Sequence, residues 1–274
     1  MKVVILCGGL GTRLSEETQV RPKPLVNIGN RPILWHIMKI YSSYGFKNFL
    51  LAVGYKGEMV KQYFLDYYSL GSDFNINLSN GEINYINRCR EDWMIDVIDT
   101  GLHSLTGGRL HRLEKYLPNE TFMLTYGDGV SNVNILKLLE FHRSHGKLAT
   151  VTAVHPVARF GEMELKGNMV HSFNEKPQTR QGWINGGFFV FEPGIFKYLK
   201  GDMTILEKEP LENLAHEEQL AAYLHDGFWH CMDTVRDISV LESLCASGNA
   251  PWCVWDKKMT NTSSLMNAFG EEVT

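Results

Sequence analysis

The 274-residue chain is 44% hydrophobic and 21% charged, which excludes disorder of the whole chain and leaves apolar material for a full core without disulfides. Its 27 Lys and Arg against 31 Asp and Glu give a formal charge of −4, so no global positive field draws it to nucleic acid or to an anionic membrane. Five widely spaced cysteines without a C-x-x-C pair, an opening apolar run too short for a signal peptide and no stretch near the roughly 18 apolar residues of a membrane span lead us to expect a cytoplasmic protein.

Residues 2–7 form a nearly continuous apolar run that ends at Gly8-Gly9, the pattern of a strand buried on both faces of a parallel sheet. A helical period follows over 32–44, with Pro32 at the first helical position and Gly45 past the end. Residues 48–53 read as a strand and 58–70 as a helix, completing a βαβ signature. Between 73 and 99, three β-prone pieces (74–78, 83–86 and 94–98) read as an insertion of strand additions or a hairpin. Thr106 is expected to cap a helix running to residue 117. A strand over 122–125 leads into Tyr126-Gly127-Asp128-Gly129, and a helix over 132–145 precedes a β-branched run over 148–154. The span 161–191 is strand-rich, and its last piece, 183–191, contains Gly186-Gly187, where backbone must approach something closely. Helices are expected over 193–199, 210–216 and 234–247. No low-complexity linker divides the chain. We therefore expect one α/β domain over residues 1–255, with an elaborated C-terminal half, and a mostly polar tail over 256–274.

Gly8-Gly9-Leu10-Gly11-Thr12-Arg13 is the strongest local motif. Glycines there let backbone N–H groups approach an anion without Cβ clashes. The loop is neither a P-loop nor G-x-G-x-x-G, and it could serve only as a turn; its place at the carboxyl end of a strand, where open α/β sheets bind ligands, favours a site. Lys23 stands between Pro22 and Pro24, which restrict the backbone around that cation. Asp128 lies between two glycines, either as an ordinary turn residue or as a carboxylate open to a hard cation. By spacing alone Asp233 is a turn or capping residue for the helix near Thr234, and Lys176, before Pro177, is a turn lysine. His142 and His145 read as a solvated helix face, and Trp183, Trp229, Trp252 and Trp255 as core or interface aromatics. There is no G-x-S-x-G elbow and no H-E-x-x-H, so nothing points to a covalent nucleophile or a zinc hydrolase.

The opening loop followed by Arg21-Pro22-Lys23-Pro24-Leu25 resembles the sugar-1-phosphate nucleotidylyltransferases. Glu175-Lys176-Pro177, the Ile184 to Phe189 stretch and Met232-Asp233-Thr234 support the resemblance, which spans residues 1 to about 255. Thr106-Gly107-Gly108-Arg109 together with the Phe228 to Thr234 stretch points to the cytidylyl branch. Cys7 departs from the family, which commonly has alanine there. The resemblance implies a Rossmann-like, mainly parallel mixed sheet flanked by helices, with a smaller β-rich sugar-binding region. It divides the domain into a nucleotide-binding part, about 1–130, and a sugar-phosphate-binding part, about 131–255. It implies CTP and α-D-glucose 1-phosphate as substrates, Mg²⁺ as cofactor, and CDP-glucose for deoxysugar and surface-polysaccharide synthesis as product. Arg13 and Lys23 become the catalytic cations. Leu6, Gly8, Gly9, Gly11, Thr12, Thr106, Arg109 and Asp128 join them in nucleotide binding, with Arg109 expected at the pyrimidine. Lys176, Glu175, Asn185, Gly186 and Gly161 take the sugar phosphate, Thr100 or Arg159 adds to that surface, and Asp128 with Asp233 holds the metal. A homo-oligomer without nucleic-acid or membrane partners is expected. Another pyrimidine nucleotide or acceptor remains compatible with these residues. A non-catalytic sensor is disfavoured, because the loop Arg, Lys23 and both carboxylates are present.

Overall fold

The computed structural model describes residues 1–86, 91–117, 119–156, 162–174 and 182–255. Seven strands make one sheet: β1 (Lys2–Leu6), β2 (Asn48–Val53), β3 (Met94–Asp99), β4 (Phe122–Tyr126), β5 (Ala149–Val154), β6 (Ile184–Phe191) and β7 (Leu220–His225). Their spatial order is β7-β5-β6-β4-β1-β2-β3, and every pairing is parallel except the two made by β6.

The apolar runs of the central strands follow from burial on both faces. Val3 and Ile5 of β1 point into one core and Val4 and Leu6 into the other; Phe49 and Leu51 are opposed in the same way by Leu50 and Ala52, and Phe188 and Val190 by Phe189 and Phe191. The first core is closed by α1 (Ile33–Ser43), α2 (Gly57–Leu70), α4 (Ile135–His145) and α6 (Val235–Ala246). The second is closed by α3 (Thr106–Leu113) and α5 (Glu209–His216). Helices on both sides of a mainly parallel sheet leave its carboxyl edge as the open face on which ligands can collect. Among the described residues no helix is long and apolar enough to cross a membrane.

Local sequence explains most boundaries. The Asn134 side chain accepts from the Lys137 N–H to start α4, and Gly146, with φ at 64°, ends it. Four expectations change. Pro32 is the residue before α1 rather than its first helical residue. Thr106 does not cap α3: the capping position is Leu105, and the Thr106 hydroxyl instead donates to Glu207 at 2.6 Å and accepts from the Leu206 N–H at 2.9 Å. The third β-prone piece of 73–99 belongs to the main sheet as the edge strand β3, whereas Phe74–Asn77 and Glu82–Tyr85 form a separate exposed hairpin. His142 is buried and hydrogen-bonded to Thr150 and Glu192, so it is a satisfied core histidine rather than part of a solvated face.

Candidate functional site

A cleft of about 580 Å³ opens at the carboxyl edge of the sheet. The glycine loop leaving β1 supplies Gly8, Gly9, Gly11, Thr12 and Arg13; the turn after β4 supplies Gly127 and Asp128. Leu6, Cys7 and Lys23 line it, as do Thr106 and Arg109 of α3. The antiparallel strand β6 has a positional role: running against its neighbours, it brings its first residues, including Asn185 in the cleft wall, to the edge where the parallel strands end.

The acidic centre depends on a small ribbon. Gly129–Ser131 pairs antiparallel with Trp229–Cys231, Gly129 facing Cys231, and the Met232 N–H donates to the Asp128 carbonyl at 2.8 Å. This ribbon draws together two aspartates far apart in sequence. The Lys23 ammonium lies between them, 2.7 Å from Asp128 Oδ2 and 2.6 Å from Asp233 Oδ1, and Arg13 holds the other Asp233 oxygen at 2.6 Å. Burial disfavours the Lys23 charge, yet the two carboxylates outweigh it and hold Lys23 above the usual lysine range. Asp128, Cys231 and Asp233 each place one ligand atom within 4.8 Å of the others, a group able to hold a metal ion. Burial and the Asp128 charge push the Cys231 thiol up, so it stays protonated and leaves the two carboxylates as the hard oxygen donors.

Arg109 lines the cleft and also braces its loops. Its guanidinium is buried, with Nη1 donating to Gly101 O and Thr100 Oγ1 at 2.8 Å and Nη2 donating to Gly8 O at 2.7 Å. These terminal nitrogens are held by main-chain carbonyls of the loops after β1 and β3 and by Thr100, so the bonds of this guanidinium tie loops together. A Cβ on Gly8 would overlap this guanidinium. Thr100 itself is buried beneath the loop, bonded to Val53 O at 2.8 Å, and does not join a sugar surface.

On the opposite wall Glu207 accepts from both Thr106 and Tyr126, and the Tyr126 hydroxyl accepts from Asn185 Nδ2 at 3.2 Å. Burial and then Glu207 push the Tyr126 phenol up, keeping it a donor. Trp229, expected only in a core or interface, lines the cleft and donates its indole N–H to Gly186 O at 2.7 Å. Glu207 and Tyr126 escaped the sequence reading. Glu207 follows no glycine and sits in no recognisable motif, whereas Tyr126 immediately precedes Gly127-Asp128 and could have been taken with it. Asp233 reaches the cleft through Lys23 and Arg13, and Gly186 borders it through Trp229. Glu175, Lys176, Gly161 and Arg159 lie outside the described residues.

A family model described as Nucleotidyl transferase matches residues 2–239. The glucose-1-phosphate cytidylyltransferase of Salmonella typhimurium is 48% identical over 257 residues, covering 93% of this chain and 100% of that protein, so this chain carries residues that relative lacks. A mannose-1-phosphate guanyltransferase of Hypocrea jecorina is 30% identical over 253 residues, 89% of this chain and 64% of that protein. Among solved structures, a UDP-glucose pyrophosphorylase complexed with UDP-glucose superposes with a TM-score of 0.63 at 16% identity, covering 90% of this chain and 98% of that one; this likeness concerns the fold.

Proposed function

The chain belongs to the nucleotidyl transferase family, and from that premise we propose that it transfers CMP from CTP to α-D-glucose 1-phosphate, forming CDP-glucose and releasing pyrophosphate. One observation carries the proposal. A glycine loop, two cations and a convergent pair of carboxylates share one cleft, in a chain 48% identical to a glucose-1-phosphate cytidylyltransferase.

A phosphate oxygen of the sugar phosphate attacks the α-phosphorus of the nucleotide; the new P–O bond forms as the bond to the α,β-bridging oxygen breaks, and pyrophosphate leaves with that electron pair. Positioning and charge neutralisation are the enzyme's whole task, so no covalent nucleophile is needed. The N–H groups of the loop from Gly8 to Thr12 cover the triphosphate, with Leu6 beneath it and Thr106 at the side. Arg13 and Lys23 neutralise the charge that develops on the leaving group. Arg109 serves the nucleotide indirectly, by fixing the loop. Asn185 and Gly186, with Gly161, Glu175 and Lys176, take the sugar phosphate.

The two carboxylates fit a hard divalent cation such as Mg²⁺, which needs only one or two of them besides phosphate oxygens. Bound there, it would neutralise phosphate charge; Asp128 and Asp233 would hold it, and Lys23 would turn from them to the phosphates. Residues 1–255 then act as one domain, its nucleotide part ending near 130 and its sugar part following. The reaction belongs in the cytoplasm, where its product supplies deoxysugar synthesis.

A pyrophosphate-release screen of four nucleotides against a panel of sugar phosphates, with and without chelator, tests the proposal. Fastest turnover is expected with CTP and α-D-glucose 1-phosphate, abolished by the chelator. A preference for UTP or dTTP overturns the cytidylyl assignment.

A further inference from the structure

Glu207 lines the cleft without belonging to the group of Asp128, Cys231 and Asp233, and its hydrogen bonds among the described residues come from two hydroxyls, those of Thr106 and Tyr126. A carboxylate repels a phosphate, so the space beside it suits the hydroxyl-bearing side of a sugar phosphate rather than its charged end.

The donors and acceptors fix the direction of every proton along this wall. An ionised carboxylate only accepts, so Tyr126 spends its one proton on Glu207 and keeps lone pairs alone for other partners. Asn185 Nδ2 donates to one of them at 3.2 Å, while Asn185 Oδ1 accepts the Gly187 N–H at 2.8 Å. A main-chain N–H can only donate, which settles which end of the Asn185 amide is oxygen. The second N–H of that amide is left as a donor on an exposed side chain that lines the cleft.

The Tyr126 ring is held independently of its hydroxyl. Gly187, with φ at 77°, lets the ring close on its Cα, where a Cβ would lie 2.5 Å from Tyr126 Cδ2. This is the close approach expected of Gly186-Gly187. Phe189 packs edge-on against the same ring with centroids 5.9 Å apart. Packing therefore sets where the phenol stands, and Glu207 sets what its hydroxyl does. Through Thr106, the first residue of α3, the same carboxylate also joins this wall to the side of the cleft that carries the glycine loop.

We propose that Glu207 is a positioning residue for the sugar phosphate: by taking the Tyr126 proton it makes the phenol an acceptor, the phenol sets the Asn185 amide, and Asn185 presents its remaining N–H to a sugar hydroxyl. The proposal rests on the reading of this cleft as a site of nucleotidyl transfer to a sugar phosphate.

Steady-state kinetics of Tyr126→Phe, Glu207→Ala and the double variant test it, using the nucleotide that the chain turns over fastest so that the identity of the base does not enter the result. Tyr126→Phe keeps the packed ring and decides the question even if Glu207→Ala does not fold. Each single variant is expected to raise KM for the sugar phosphate about ten-fold with kcat within about three-fold. The double variant should raise KM no further, because the two groups act in series. Glu207→Gln should restore KM, since its carboxamide oxygen can accept from Tyr126 while its amino group donates to Thr106. A KM raised about a hundred-fold in the double variant would mean that the two groups act separately, and overturns the proposal. So does an unchanged KM for the sugar phosphate in Tyr126→Phe. A natural chain that turns over no sugar phosphate overturns the reading of the cleft and the proposal together, whereas one that does, without this pattern, overturns the proposal alone.

Discussion

Lys23 is held so tightly by two carboxylates that it competes with any cation for them. Its side chain is 11% exposed, and those of Asp128 and Asp233 are 25% and 17% exposed, so the three charges interact with little screening. Removing the ammonium has two opposed effects. Lys23→Ala should weaken CTP and pyrophosphate binding by about 1.5–3 kcal/mol, the worth of a charge-assisted contact. The same variant should bind Mg²⁺ more tightly in the absence of nucleotide, because two mutually repelling carboxylates are left without a counter-charge; calorimetric titration reads both. Equal or weaker Mg²⁺ affinity would separate the carboxylates from the metal. Asp128→Asn and Asp233→Asn should each lower turnover about 10²–10³-fold at saturating Mg²⁺ with unchanged circular dichroism. Asp92→Asn and Asp96→Asn are controls, since these aspartates pair with Lys47 and Lys2 on the surface. At this scale the proline and glycine neighbours of Lys23 and Asp128 make those two residues stand out in the sequence, whereas the main-chain partners of Arg109 leave no local signal. A motif shows that an arginine is present, not whether its donors end on substrate or on main-chain carbonyls.

The elements that carry these residues have signatures of uneven strength. Strands buried on both faces, such as β1 and β2, are apolar runs and could be read directly. β7 was missed because Leu220, Ala221 and Ala222 favour helices, and pairing with β5 overrides that preference. The ribbon of Gly129–Ser131 with Trp229–Cys231 is too short to show any period, yet it assembles the acidic centre. Arg109 works at the element scale, tying the loops after β1 and β3 to α3. Arg109→Ala strands several buried carbonyls, each costing about 1–3 kcal/mol, so it should destabilise the fold by about 3 kcal/mol and lower activity without altering the ratio of CTP to UTP use. A changed ratio would return Arg109 to the base. The start of α6 titrates. The Asp237 carboxylate accepts from the Asp233 and Thr234 N–H groups and faces His230 at 3.2 Å. Burial alone would raise it, but these bonds dominate and hold it at about 2. A depressed carboxylate adds stability that is complete above its unfolded value of about 3.9 and is lost as pH falls towards 2. Asp237→Asn should therefore flatten the acid limb of a stability–pH profile; an unchanged limb would show that Asp237 is not the group responsible.

On the scale of the whole molecule, the site depends on contacts that no local pattern reports: Asp128 meets Asp233, Thr106 meets Glu207, and Arg109 meets Gly8. The α/β architecture was readable because each βα unit has its own period, but which loops share a cleft is set by strand order, and above all by the antiparallel β6 inserted between β5 and β4. Among the described residues these contacts and both cores are assembled by elements that reach from β1 to Trp255. Trp252, fully buried against His36 and Phe228, closes the first core near the end of the described residues. Deletion of residues 256–274 should leave the circular dichroism and the turnover of the catalytic cleft near those of the full chain. Circular dichroism and the pyrophosphate-release assay, run on the two proteins side by side, decide the matter. An insoluble or unfolded product would make residues 256–274 necessary to the fold, and intact circular dichroism with lost turnover would make them necessary to the reaction.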